Sequence, residues 1–405
     1  MTKRVRPFET RLRALSMALA IMLFSALGAT PSARAQTYKV LYNFTSEFGG
    51  YGPYLGSMVQ DKTGNLYGTT QFGGGDDCGV VFKVVPSTRT ETVLRTFTCG
   101  ADGGWPASTL ILSGKTLYGT TVTGGSSGDW GVVFELNLKT GIEKVLYNFT
   151  GAADGGVAFG GPILSSGVLY GTTAAGGSSG VGVVYKVDVK TGAETVLHSF
   201  DGLDGGDSYS SLTLDKTGQV LYGTANYGGQ GYGYGVVFSL DIKTSTYKVL
   251  HEFTGPPDGE YPLGALALDP AGNLYGTTYF GGSGNCPREC GVVFKVVPKT
   301  GAETVLYSFT GYEDGGYPFG SVVRSKEGNL YGTAKNDGYN EWGTVFELGK
   351  GGTTVLHSFA YRYGAVPYAG VIMDSKGDLY GTTNGGGSGT GCGGYGCGVV
   401  WEITP

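Results

Sequence analysis

The chain has 405 residues and 77 glycines, about 19% against an average usage near 7%. Charged residues make up only 15% and aromatic ones 13%, which excludes a charged disordered tail, and the glycines lack the three-residue period of collagen. A net charge of −5 gives no basic footprint for nucleic acid, so a β-rich globular chain rich in turns remains.

In chain order, the first element is an export signal. Lys3, Arg4, Arg6, Arg11 and Arg13 precede an apolar run from Ala14 to Leu27, and Ala33-Arg34-Ala35 supplies a small-x-small cleavage pattern before Gln36. The run is shorter than the roughly 20 residues a membrane span needs. Residues 1–35 therefore read as a cleaved signal and 36–405 as one domain. No later stretch is apolar enough to span a membrane, and the sequence closes on Ile403-Thr404-Pro405 with no sorting tail. The mature chain is expected to be secreted or periplasmic, and monomeric.

From Tyr38 onwards the chain is a repeat. Leu-Tyr-Gly-Thr recurs with its tyrosine at Tyr67, Tyr118, Tyr170, Tyr222, Tyr275, Tyr331 and Tyr380. Gly-Val-Val-aromatic, or Gly-Thr-Val-Phe once, recurs from Gly79, Gly131, Gly182, Gly235, Gly291, Gly343 and Gly398. Val-Leu-x-x-Phe ends at Phe44, Phe97, Phe149, Phe200, Phe253, Phe309 and Phe359. Three independent markers each count seven. Each unit reads as four short strands joined by Asp-x-x-Gly and Lys-Thr-Gly turns, which is the size of a β-propeller blade. The chain opens with a fourth-strand segment, Tyr38 to Phe44, and closes with a third strand, Gly398 to Ile403. Pairing these ends completes a seventh blade and removes the open edges. The prediction is an all-β, closed seven-bladed propeller with four antiparallel strands per blade.

This phase is similar to that of NHL-type propellers. The combination Gly-Asn-Leu-Tyr-Gly-Thr-Thr, Gly-Gly, Gly-Val-Val-Phe and Val-Leu-Tyr-Ser-Phe more closely resembles the GloVer tandem repeat of exported bacterial "choice-of-anchor" proteins. That resemblance runs from Gln36 to Pro405. It implies export and propeller-like repeats, and often a surface anchor, which this sequence does not show. It brings no established activity and no catalytic residues.

Tight turns occupy one face of such a ring and leave little room for a ligand, so function is expected on the other, loop-rich face. Its fourth-to-first loops carry Asp102, Asp154, Asp204, Asp258 and Asp314, each before glycine, with Trp105, Tyr261 and Tyr317 close behind. Its second-to-third loops carry Phe72, Trp130, Tyr227, Tyr232, Tyr234, Tyr339, Trp342 and Tyr395. Aspartates and aromatic rings on one face suit a glycan, but Asp-Gly is also plain turn chemistry. His198, His251 and His357 share a slot with Tyr42, Tyr147 and Tyr307 and read as packing residues between blades. The inner segments are small, as at Gly56-Ser57 and Gly264-Ala265, with Arg324 the one charge, so no carboxylate pair for glycosidase work is expected at the axis. No metal or cofactor is expected.

Six cysteines in an exported chain read as disulfides. Cys286 with Cys290, and Cys392 with Cys397, each bracket a second-to-third loop. Cys78 lies just before a third strand and Cys99 just after the adjacent fourth strand, which antiparallel pairing brings together. Function then reads as an exported, non-catalytic module that binds or scaffolds an extracellular glycan or protein. The alternative is a propeller-type polysaccharide lyase or hydrolase with its site on the loop-rich face, near Glu260 and the irregular segment Asn285 to Glu289. A purely structural envelope protein is a third reading.

Overall fold

The computed structural model describes residues 36–45, 49–231 and 233–404, so the signal expected over 1–35, and Tyr232, lie outside the described residues. Seven four-stranded antiparallel sheets follow one another along the chain. The first blade comprises Val59–Gln60, Leu66–Thr70, Val80–Val85 and Thr90–Thr96, ordered from the axis outwards. Five more blades run from Ile111 to Asn148, Ile163 to Ser199, Thr213 to Glu252, Ala267 to Ser308 and Val323 to Ser358. In the seventh, Ile372–Met373, Leu379–Thr383 and Val399–Thr404 are completed on the outside by Thr37–Asn43. Thr37 lies opposite Thr404 and Asn43 opposite Val399, so the two ends of the repeat close the ring.

The three sequence markers recur together because they meet at one place. Each Val-Leu-x-x-Phe phenylalanine meets the third-strand aromatic of the next blade edge-on, as in Phe97–Phe134 (5.3 Å), Phe253–Phe294 (5.1 Å) and Phe359–Trp401 (5.8 Å). That aromatic ring lies over the Leu-Tyr-Gly-Thr glycine of its own blade. A Cβ on Gly276 would sit 2.6 Å from Phe294, and one on Gly119 would sit 2.7 Å from Phe134. The glycine is a strand residue whose missing side chain makes room for its neighbour's ring. The apolar core is accordingly seven clusters, one between each pair of adjacent blades.

Near the axis the blades touch through backbone. The innermost strands are only two or three residues each, and the small-residue segments before them run unpaired. These segments approach their neighbours too closely for side chains: a Cβ on Gly160 would strike the Ser210 carbonyl, and one on Gly320 would strike the Ala369–Gly370 peptide. The second-strand threonine then ties blade to blade. Thr120 Oγ1 donates to the Ala158 carbonyl (3.0 Å), Thr172 to Ser210 (3.0 Å), Thr277 to Gly320 (2.9 Å) and Thr333 to Ala369 (2.9 Å).

Candidate functional site

On the tight-turn face the aspartates are consumed locally. Asp61 accepts the N–H groups of Thr63 (2.8 Å) and Asn65 (3.0 Å), and Asp374 accepts those of Lys376 (2.8 Å) and Asp378 (3.0 Å). A groove of about 700 Å³ nevertheless opens here between blades one and seven, where the turns led us to expect little room. Its carboxylates Asp61 and Asp374 already serve these turns.

On the opposite face every fourth-to-first loop pairs with the following second-to-third loop, for example Gly104 with Thr123, Gly156 with Ala175 and Glu260 with Phe280. The next residue adopts a positive φ: Trp105 (52°), Val157 (59°), Tyr261 (57°), Tyr317 (59°) and Val366 (56°). L-residues resist this conformation, so the surroundings must fix it. They do so through N–H bonds to the preceding blade: Trp105 to the Cys78 carbonyl (2.8 Å), Tyr261 to Tyr234 (2.7 Å), Tyr317 to Cys290 (2.7 Å) and Val366 to Trp342 (2.9 Å). The candidate aromatics Trp105, Tyr261 and Tyr317 thus sit on a strained splice between blades. Trp130 packs over Gly151 and Gly156, and Trp342 meets Tyr361 edge-on at 5.1 Å.

The five loop aspartates point to the outer strand of their own blade. Asp102 accepts from Arg95 (2.6 Å) and Asp154 from the Tyr147 hydroxyl (2.9 Å). Asp204 lies 2.7 Å from His198 Nε2, Asp258 lies 3.2 Å from His251 Nε2, and Asp314 accepts from Tyr307 (2.7 Å). Thr98, Thr150, Thr254 and Thr310 add backbone N–H bonds to four of them. A residue of the next blade's fourth strand faces each pair. It is Glu143 beside Arg95, 3.3 Å away; Glu194 near Tyr147; Tyr247 stacked on His198; Glu303 near His251; and Thr353 near Tyr307. Ligand atoms of His251, Asp258 and Glu303 lie within 4.8 Å of one another, a set able to hold a metal ion. At the four other loops with an aspartate the same three positions carry Arg–Asp–Glu, Tyr–Asp–Glu, His–Asp–Tyr or Tyr–Asp–Thr. The set is one version of a polar latch between outer strands.

Other residues surround the axis. Five positions beyond each loop aspartate, or its equivalent, stand Tyr54, Ala107, Phe159, Tyr209, Leu263, Phe319 and Tyr368. Five of the seven are aromatic, and they form a collar at the mouth of the channel. Tyr54 lies 4.8 Å from Tyr368 and 6.3 Å from Phe319, and Phe159 lies 4.5 Å from Tyr209, centroid to centroid. Beneath the collar the axial cavity is only about 30 Å³ and has no charged side chain in its lining. A second ring comes from the residue two beyond each Leu-Tyr-Gly-Thr: Gln71, Val122, Ala174, Asn226, Tyr279, Lys335 and Asn384. The two rings make the face lopsided. Blades four to seven present aromatic, amide and ammonium groups, whereas the second ring in blades two and three presents only valine and alanine.

The richer side is a cleft of about 370 Å³ lined by collar residues with Tyr261, Tyr279, Phe280, Arg288 and Lys335. A second cleft of about 650 Å³, lined by Asp337, Glu341, Trp342 and Tyr395, shares Lys335 and Tyr368 with the first. Lys335 Nζ lies 4.8 Å from the Tyr368 ring centroid and donates to the Tyr279 hydroxyl (3.1 Å). Arg288 lies 4.4 Å from the Phe280 centroid and pairs with Glu260 at 3.0 Å. Glu260 is only 5% exposed; burial pushes its carboxyl up, and the Arg288 guanidinium opposes that rise.

All six cysteines are paired, as Cys78–Cys99, Cys286–Cys290 and Cys392–Cys397. The second bridge staples the loop that carries Arg288, and the third the loop that carries Tyr395. Two staples therefore fix walls of the clefts. Such bridges fit an oxidising compartment. Among the described residues no helix is long and apolar enough to cross a membrane.

The collar residues and Lys335 were missed from sequence because no string marks them; the available signal was their constant offset from the markers. Solved structures of similar shape share the fold alone. The extracellular domain of a one-component system from B. thetaiotaomicron aligns with a TM-score of 0.56 at 10% identity, over 91% of this chain and 40% of that one. This chain thus spans about 40% of the length of that domain. A chain of the mitotic checkpoint complex aligns at 0.58 and 12% identity, over 100% of this chain and 99% of that one. Oligogalacturonate lyase from Vibrio parahaemolyticus aligns at 0.54 and 12% identity, over 92% and 94%. No curated protein matches the sequence. The model of the Gloeobacter/Verrucomicrobia repeat, the repeat whose motifs the sequence resembles, matches residues 29–232 and 165–395, and the chain belongs to that family.

Proposed function

We propose that the protein is an exported, non-catalytic propeller, residues 36–405 after removal of a signal over 1–35, that binds an extracellular glycan or protein through its loop-rich face. The observation that carries this reading is the lopsided pair of joined clefts in blades four to seven, one wall of each held by a disulfide. Tyrosine faces and hydroxyls on preorganised loops suit a polar ligand with flat apolar patches, and rigid walls reduce the ordering cost of binding. On this reading the loop aspartates Asp102, Asp154, Asp204, Asp258 and Asp314 shape the loops, while Tyr261, Tyr317 and Trp342 border the ligand.

A glycan array and a pull-down with the mature chain test the proposal. Binding is expected to weaken at least tenfold in Tyr279→Ala and Tyr368→Ala while both variants keep the wild-type melting temperature. Silence in both assays overturns it. The rival reading, a polysaccharide lyase or hydrolase, draws on the buried Glu260 beside Arg288. Turnover on a polysaccharide panel that disappears in Glu260→Gln would establish that reading instead.

A further inference from the structure

We propose that Lys335 is an anion-recognition residue and that the joined clefts bind an oligosaccharide with an acidic sugar unit flanked by a neutral one. This rests on the binding-module reading above and adds the ligand's chemistry. Lys335 is half-buried, and among the described residues its Nζ has no carboxylate within 4.0 Å, whereas Arg95 and Arg288 are both paired. The Tyr279 hydroxyl accepts from one of its three N–H donors and the Tyr368 ring centroid lies 4.8 Å from Nζ, which leaves N–H donors for a ligand. A cation held against two rings without a counter-charge is a site for a carboxylate or sulfate.

The fold does not require a charge at this position. Its N–H donates to the Tyr317 carbonyl, and the same backbone bond is made by Gln71, Val122, Ala174, Tyr279 and Asn384 in other blades. The ammonium is therefore specific to blade six. Lys335 and Tyr368 stand where the two clefts join, so an anionic unit bound there continues into both. On one side it meets tyrosine and phenylalanine rings suited to stacking on a sugar. On the other it meets Asp337 and Glu341, which repel a second negative charge and favour a neutral unit beside Trp342. A chain of aromatic faces and hydroxyls with no deep apolar hole favours a sugar over a peptide, whose side chains need such anchors.

The test is calorimetry with the mature, disulfide-intact chain. Its probes are a tetrasaccharide of alternating glucuronate and N-acetylglucosamine, the same tetrasaccharide with its carboxyls reduced, a sulfated neutral tetrasaccharide and an acidic heptapeptide. We expect at least one acidic sugar, uronate or sulfated, to bind tenfold or more tighter than the reduced form, and the difference to vanish in Lys335→Met. Whichever acid binds identifies the anion. Lys335→Met should melt with the wild type, because other blades carry valine or alanine there, and Lys335→Arg should keep most of the preference. Equal binding of acidic and reduced sugars, with both lost in Tyr368→Ala, would overturn the role of Lys335 and leave the binding face standing. Capture of the heptapeptide alone would overturn the sugar class. Silence from every probe, on the array and in the pull-down, would overturn both.

Discussion

Gly276 shows how much one absent side chain does in this fold. Phe294 occupies the place where a Cβ would stand, and the phenylalanine ring is itself wedged against Phe253 of the preceding blade. Gly276→Ala must push that ring off its rotamer in a close-packed site, which costs about 1–3 kcal/mol. Urea unfolding should show a lower midpoint with an unchanged slope, and an unchanged midpoint would refute the packing account. At this scale the sequence was legible wherever a residue repeats. The seven glycines, the third-strand aromatics and the cysteine pairs all announced themselves by recurrence or by flanking strands. Lys335 did not, because a residue found in one blade of seven leaves no pattern. Only its offset from Leu-Tyr-Gly-Thr, shared with Gln71, Tyr279 and Asn384, locates it. The positive φ of Val157 and Val366 was equally hidden, since β-branched residues are poor guesses for that conformation.

Between neighbouring fourth strands lie the polar latches, and these carry a titration. Burial pushes Glu194 and Glu303 up to about 7, with Asp154 and Asp258 adding to it, and does the same to Glu91, which holds the equivalent place near Tyr42 of blade seven. Unfolded, such carboxyls titrate near 4.5. From there to about 7 the folded chain keeps protons that the unfolded chain has lost, so stability falls as pH rises through that window. His357, lowered by burial to about 4, acts oppositely: its contribution is present above 6.5 and is lost as pH falls towards 4. Three carboxylates outweigh one imidazole. The melting temperature should be higher at pH 5.5 than at pH 8, and Glu194→Gln or Glu303→Gln should shrink the difference. A melting temperature that rises with pH over this range would refute the assignment. The slot that histidine shares with tyrosine in the repeat reads as a blade contact, and the stacking of His198 on Tyr247 and His357 on Tyr38 agrees. The glutamates escaped notice because their partners come from a different blade, some 50 residues away.

The whole ring has one uneven joint. Six interfaces carry the threonine tie from second strand to neighbouring carbonyl, including Thr69 to Ser108 and Thr224 to Gly264, both 3.3 Å. At the joint between blades seven and one, Thr382 Oγ1 is buried and, among the described residues, without a partner. Blade seven, on one side of this joint, is also the blade in which the first and last strands of the chain pair non-covalently. Local opening should begin there. Amide exchange in Leu379–Thr383 and Thr37–Asn43 is expected to outrun that of the equivalent strands in blades two to six; uniform protection around the ring would count against it. Blade number and closure were legible because the repeat's phase fixes them. The lopsided binding face was not, since it arises only when the seven offsets are laid around one axis.

The pairing of Thr37 with Thr404 has a directional consequence. Both residues lie at the tight-turn end of their strands, so the two ends of the folded chain leave the ring side by side on that face. Anything joined to either end, whether a surface, a bead or a second domain, would sit behind the disc and hold the collar of Tyr54, Phe319 and Tyr368 outward. Immobilised through a terminus, the protein offers its clefts to the surroundings like a dish facing away from its mount.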